Sequence, residues 1–207
     1  QNKKLTIGFI PTMGSLHQGH LSLIKESQKK CDLTVCSIYV NPTQFNDKKD
    51  FENYPKDIDS DLKKLNTIKC DIVYTPKNND FYNKNEVAKN YNFNSLDNNL
   101  EGKHRPRHFN GVATIVEKLL KIVKPKYAFF GEKDLQQLSI IKQLVKDKNI
   151  NTKIIGCETI REKNGLAKSS RNKLLSKSDI EKSAGIYQQL LFCKKNFNTI
   201  PLNELKN

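Results

Sequence analysis

Short apolar runs alternate along this chain with longer segments whose apolar residues recur every three or four positions, and that alternation constrains the fold most. Short apolar runs bounded by turn formers read as strands, and longer periodic segments read as helices. Leu5–Ile10, Leu33–Val40, Ile72–Thr75, Tyr127–Phe130 and Lys153–Cys157 belong to the first class. Leu33–Val40 is apolar and β-branched along much of its length, as a strand buried on both faces requires. A helix beginning at about Gly19, together with Ile58–Leu65, Val112–Val123 and Leu135–Lys146, belongs to the second; Leu138, Ile141, Leu144 and Val145 mark one helical face. Strand followed by crossover helix, repeated, predicts an α/β fold with a Rossmann-like open parallel sheet. Asn78–Leu100, dominated by Asn and Lys, reads as an irregular surface excursion, and a further helical pattern containing Ile180, Ala184, Tyr187, Leu190 and Leu191 follows Ser176.

Composition narrows the function classes. The 207 residues are enough for one domain and a fraction, with a core that needs no staples. Cys31, Cys36, Cys70, Cys157 and Cys193 are odd in number and form no CxxC pair, so reduced core thiols are expected rather than a metal site or a disulfide framework. No apolar run reaches the roughly 20 residues of a membrane span, and no signal peptide is evident, so no membrane partner and a cytoplasmic location are expected. The formal charge of +14 invites a nucleic-acid partner. Its lysines are scattered among asparagines, however, with no basic block and no interleaved aromatics, and no nucleic-acid partner is expected.

Chemistry-bearing residues gather where strands give way to helices, the place where open parallel sheets bind ligands. After the first strand comes Pro11-Thr12-Met13-Gly14-Ser15-Leu16-His17-Gln18-Gly19-His20. A helix N-terminus offers free N–H groups, and histidines three apart on its first turn can each donate a ring N–H to a phosphate. Gly19 admits a close backbone approach. Taken alone, the pair fits capping or surface histidines equally well. After Leu33–Val40 comes Asn41-Pro42-Thr43-Gln44-Phe45, where an amide can both donate to and accept from a small hydroxy acid. After Tyr127–Phe130 comes Gly131-Glu132-Lys133-Asp134-Leu135-Gln136-Gln137, with a cation for phosphate and an acceptor for ribose hydroxyls. In isolation this lysine and aspartate fit a surface pair at a helix start. Near the end, Lys168-Ser169-Ser170-Arg171 combines two hydroxyls and a guanidinium, a compact set of phosphate donors.

These strings, in this order from about Leu5 to Leu175, resemble the pantothenate synthetases, whose signature at Pro11–His20 is a variant of the HxGH motif of the nucleotidylyltransferase superfamily. The resemblance implies an AMP-forming ligase that joins pantoate to β-alanine through a pantoyl adenylate, with ATP and Mg²⁺, in a homodimer. It implies ATP contacts at Met13, Gly14, His17, Gly19, His20, Gly131, Lys133, Asp134, Ile160, Lys168, Ser169, Ser170 and Arg171. Catalytic roles fall on His17, His20, Lys133, Ser169, Ser170 and Arg171, and pantoate contacts on Pro11, Met13, Gln44 and Gln137. Asn41 is expected to shape the Gln44 loop. Asp61 is the position for a magnesium contact, although helix-start aspartates are ordinary. The implied organisation is an ATP- and pantoate-binding domain over 1–156 and the start of a small C-terminal lid domain over 157–207. Two departures stand out: Lys168 where the family usually has an apolar residue, and Arg107 where it usually has glycine. The rivals are another small-molecule nucleotidylyltransferase, which would transfer AMP to a phosphate, and a basic nucleic-acid-binding module.

Overall fold

The computed structural model describes residues 5–83 and 87–205. The strands are β1 (Ile7–Thr12), β2 (Leu33–Ile38), β3 (Ile72–Tyr74), β4 (Tyr127–Gly131) and β5 (Lys153–Cys157). The helices are α1 (Gln18–Lys30), α2 (Lys48–Glu52), α3 (Ile58–Thr67), α4 (Asn78–Phe81), α5 (Leu100–His104), α6 (His108–Val123), α7 (Leu135–Asp147), α8 (Lys177–Asn196) and α9 (Leu202–Leu205). All pairings are parallel, and the strands lie in the order β3-β2-β1-β4-β5. The α/β fold class holds.

Alternation within each strand divides the interior. Phe9, Ala128 and Phe130 face a core with α6 and α7, whereas Ile10 and Phe129 face a second core with Leu21, Leu23 and Ile24 of α1 and Leu65 of α3. Phe9 and Phe129 are essentially without exposure, and burial of each side chain stabilises the fold by about 1.5–3 kcal/mol. The five cysteines are free thiols. Cys36 and Cys157 are buried, and burial pushes the Cys157 pKa up to about 11. No described helix is long and apolar enough to cross a membrane.

Some sequence expectations move. The first strand runs two residues later than Leu5–Ile10. Thr6 lies just before it, donating its N–H at 2.8 Å and its hydroxyl at 2.6 Å to the Asp32 carboxylate while its carbonyl accepts the Leu33 N–H at 3.1 Å. At the far end β1 continues through Pro11, which pairs with Ser37 on β2, while the β1–β4 register involves only Gly8 and Phe9. Proline's missing donor therefore interrupts no bond to β4.

The Asn78–Leu100 excursion is also not a mere surface feature. Phe81, Tyr82 and Phe93 are buried in the α6/α7 core, because a few aromatics bury more area than their number suggests. Polar residues on α6 strap this segment down. Asn110 Oδ1 accepts the Tyr91 N–H and Thr114 Oγ1 accepts the Lys89 N–H, each at 2.9 Å. Glu117 accepts the Tyr91 hydroxyl at 2.7 Å. Burial disfavours the Glu117 charge, but hydrogen bonds from Lys121 and Tyr91 and the charge of Lys89 outweigh it and lower its pKa to about 2. Residues 84–86 of the excursion lie outside the described residues.

The chain forms two compact units, the first ending at Glu158 and the second beginning at Thr159. In the second, Arg161 and Ala167 bridge across a tight turn in which Gly165 adopts a φ of +92. The Arg161 guanidinium lies 3.8 Å from the Tyr187 ring centre, a cation–π contact that ties the turn to α8.

Candidate functional site

Strand order decides where ligands go. The chain leaves β1 for β2 on one side of the sheet and leaves β4 for β5 on the other, so the carboxyl ends of β1 and β4 flank the topological switch point. The loops expected to hold phosphate, Met13–His20 and Gly131–Asp134, begin at those strand ends.

The first loop is built to present two histidines. His17 is the N-cap of α1, and its Nδ1 accepts the Gly19 N–H at 3.1 Å. His20 Nδ1 accepts the His17 N–H at 3.3 Å, completing a capping box. A ring nitrogen that accepts carries no proton, so both imidazoles are Nε2–H tautomers when neutral. The capping reading and the phosphate-donor reading of this pair are therefore compatible. The caps satisfy backbone donors and leave Nε2–H as the donor nitrogen. Gly19 has a local reason as well, since a Cβ there would lie 2.8 Å from His17 Cε1.

Lys133 reaches His20 electrostatically. Burial, the neighbouring His17 and the charges of Lys133 and Lys64 lower the His20 pKa to about 3. The His20 ring is thus a neutral donor in a positive field, a setting suited to anionic oxygens. Lys133 itself pairs with Asp134 at 3.0 Å. A Cβ built on Gly131 meets nothing within 4 Å among the described residues, so their packing does not require glycine there.

Gln44 lies at the end of β2 in a 3₁₀ turn, Pro42–Gln44. Its Oε1 accepts from Asn41 Nδ2 at 3.2 Å and its Nε2 lies 2.9 Å from Met13 Sδ. Asn41, 1% exposed, also donates to the Gly111 carbonyl at 3.0 Å and accepts from the Tyr82 hydroxyl at 2.8 Å. These partners fix the Asn41 amide orientation, and Asn41 in turn orients Gln44 with its NH₂ toward Met13. Pro11 and Gln137 are half-buried, Pro11 at the end of β1 and Gln137 in the first turn of α7.

Asp61, 1% exposed on α3, supports the first loop. Its Oδ1 accepts the Leu16 N–H at 2.7 Å and pairs with Lys64 at 3.4 Å, while Oδ2 is buried without a hydrogen-bond partner among the described residues. Magnesium keeps several waters and favours near-octahedral oxygen geometry. Asp61 Oδ1 is engaged by Leu16 and Lys64, and no group of three His, Cys, Asp or Glu side chains suited to a metal occurs among the described residues.

In the second unit, the Ile160 carbonyl accepts the Lys168 N–H at 2.9 Å. Lys168 Nζ lies 2.7 Å from Glu162, so the lysine at this apolar family position has an acidic neighbour. Ser169 caps the 3₁₀ turn Ser170–Leu174 by accepting the Arg171 N–H at 3.2 Å, which makes Ser169–Arg171 a local unit.

The chain matches the pantoate-β-alanine ligase family over residues 1–206. The chain belongs to the pantoate-β-alanine ligase family. It is 51% identical over 201 residues to a pantothenate synthetase of Flavobacterium psychrophilum, covering 97% of this chain and 71% of that one. It is 46% identical over 192 residues to one from Acinetobacter baylyi, covering 93% and 68%. A Thermus thermophilus pantothenate synthetase structure superposes with a TM-score of 0.88 at 37% identity, over 92% of this chain and 69% of that one. The Francisella tularensis pantoate-β-alanine ligase, solved with β,γ ATP and β-alanine, superposes with a TM-score of 0.85 at 47% identity, over 91% and 72%.

For a ligase of this family, sequence reading left several supporting residues without a role. Lys64 acts on His20, His108 holds the Gln44 backbone, and Gln136 donates to the Leu96 and Asn99 carbonyls, each at 2.7 Å. For Lys64 a local signal existed, because it follows Asp61 by three residues on a helix. The partners of His108 and Gln136 lie 64 and about 40 positions away in sequence, beyond any periodicity.

Proposed function

We propose that this ligase condenses pantoate with β-alanine at the expense of ATP through a pantoyl adenylate. A pantoate carboxylate oxygen attacks the α-phosphorus, the bond to the β-phosphate oxygen breaks and pyrophosphate leaves. The β-alanine amine then attacks the acyl carbon, its proton is lost and AMP departs with the acyl oxygen. No protein nucleophile is needed. The observation that carries this reading is the convergence, at the sheet's switch point, of the capped His17–His20 pair with the charge of Lys133.

The roles proposed for His17, His20 and Lys133 draw on that geometry, and the others rest on the family resemblance. His17 and His20 donate Nε2–H to phosphate oxygens beside the positive end of α1, and Lys133 neutralises charge that grows as the α-phosphorus is attacked. Met13, Gly14, Gly19, Gly131 and Asp134 contact the nucleotide, Asp134 taking the ribose. Ile160, Lys168, Ser169, Ser170 and Arg171 are proposed nucleotide contacts from the start of the lid domain. Gln44, with Pro11, Met13 and Gln137, takes pantoate. Magnesium enters with ATP as the MgATP substrate rather than at a resident protein site. A cytoplasmic homodimer is the expected assembly on the strength of the family resemblance.

Mass spectrometry of a reaction with ATP, pantoate and β-alanine tests the proposal. It should reveal pantothenate, AMP and pyrophosphate, and a pantoyl adenylate when β-alanine is withheld. An adenylylated phosphate product instead would identify the rival nucleotidylyltransferase reaction.

A further inference from the structure

We infer that His108 is a positioning residue for the hydroxy-acid subsite, acting through the backbone of Gln44; this rests on the reading of Gln44 as a pantoate contact. His108 is the first residue of α6, 7% exposed, and its Nδ1 lies 2.7 Å from the Gln44 carbonyl oxygen. A carbonyl only accepts, so Nδ1 carries the proton and Nε2 is an acceptor. The group at Nε2 is the Arg105 guanidinium, 3.3 Å away, which only donates. Both bonds demand the same tautomer. Arg105 is in turn paired with Glu101 at 3.5 Å, so a polar chain runs from Glu101 through Arg105 and His108 to Gln44.

The turn that carries Gln44 needs such a clamp. Pro42–Gln44 is one 3₁₀ turn, closed by the Phe45 N–H to the Pro42 carbonyl at 3.2 Å. Helix α6 docks directly on it, since a Cβ on Gly111 would lie 2.4 Å from the Thr43 carbonyl oxygen and 2.6 Å from Gln44 Cα. With His108 on the Gln44 main-chain carbonyl and Asn41 on its side-chain carbonyl, Gln44 is held at both its backbone and its side chain, and the amide NH₂ is directed toward Met13. An orienting amide must be placed to within a fraction of an ångström to favour the reactive pose of its substrate. His108 supplies that placement from a residue that need not touch the substrate.

Substitutions that move one nitrogen at a time test this. Asn at position 108 places an amide N–H where Nδ1–H lies, whereas Gln extends its amide to the Nε2 position. Pantoate and ATP should be varied separately for wild type, Gln44→Ala, His108→Asn and His108→Gln, with folding checked by circular dichroism. His108→Gln should raise the pantoate KM about tenfold, as expected for the loss of one buried hydrogen bond. His108→Asn should stay within about threefold of wild type, and the ATP KM should change by less than about twofold in both variants. Equal behaviour of the two variants, or parallel rises in both KM values, would overturn the inference. Nitrogen NMR on the unmutated protein gives an independent reading, because the Nδ1–H tautomer is expected at His108 and the Nε2–H tautomer would contradict it. If Gln44→Ala leaves pantoate use unchanged, the subsite reading itself falls, and the inference falls with it.

Discussion

The Asp61 carboxylate accepts the Leu16 N–H at 2.7 Å, so a residue on α3 holds the backbone immediately before His17. That makes Asp61 a support for the phosphate loop. Replacing it with Ala strands a buried N–H, which costs about 1–3 kcal/mol. Urea unfolding should show this loss for Asp61→Ala, and Asp61→Asn, which keeps an acceptor oxygen, should lose less. The magnesium concentration for half-maximal activity should be the same in wild type and Asp61→Asn. A large shift in that concentration would restore the metal role.

His20 provides a pH test. Its pKa is lowered from 6.5 to about 3 by burial and by the charges near it. The unfolded chain therefore binds a proton at this position between those values when the folded chain does not. The His20 contribution to stability is fully present above pH 6.5 and is lost as pH falls toward 3. Histidine NMR without nucleotide should show the His20 ring neutral at pH 5, and His20→Gln should flatten the decline in stability between pH 6.5 and 5. Titration of His20 near pH 6.5 would mean that the ring is not buried in a positive field.

Arg107 precedes α6 with a φ of 62 and ψ of 0, left-handed backbone at the position where glycine is usual in the family. A side chain in that region costs about 1–2 kcal/mol, partly offset by the entropy glycine loses on folding, about 0.5–1 kcal/mol. Arg107→Gly should therefore raise stability by roughly 0.5–1 kcal/mol in denaturant unfolding despite losing its 3.4 Å contact with Asn90. A destabilised variant would show that the Asn90 contact outweighs the backbone strain.

Sequence reading located the strands and crossover helices because hydrophobic period is a local property, and Lys153–Cys157 matches at both ends. It missed the early start of α6 because a left-handed residue, not a change of period, begins that helix at His108. The anchoring of the excursion is not legible because Phe81, Tyr82 and Phe93 are thinly spread among Asn and Lys, yet all three enter the core. At the site, the loops bearing His17, Gln44 and Lys133 were legible, since each follows a strand. The seating of those loops was not. Asp61 on Leu16, Asn41 on Gly111 and His108 on Gln44 are contacts across 45, 70 and 64 positions, and only the folded chain brings such pairs together.

The central claim is that the histidine pair and Lys133 stabilise charge on a triphosphate while pantoate is activated. Pantoate-dependent exchange of labelled pyrophosphate into ATP, measured without β-alanine, isolates that half-reaction. The wild-type chain should catalyse exchange only when pantoate is present. Lys133→Ala and His20→Ala should each slow it by roughly 10²–10³-fold, as for removal of one preorganised donor, with a smaller effect on ATP binding. Exchange at near-normal rates in both folded variants, or exchange that does not require pantoate, would contradict the account.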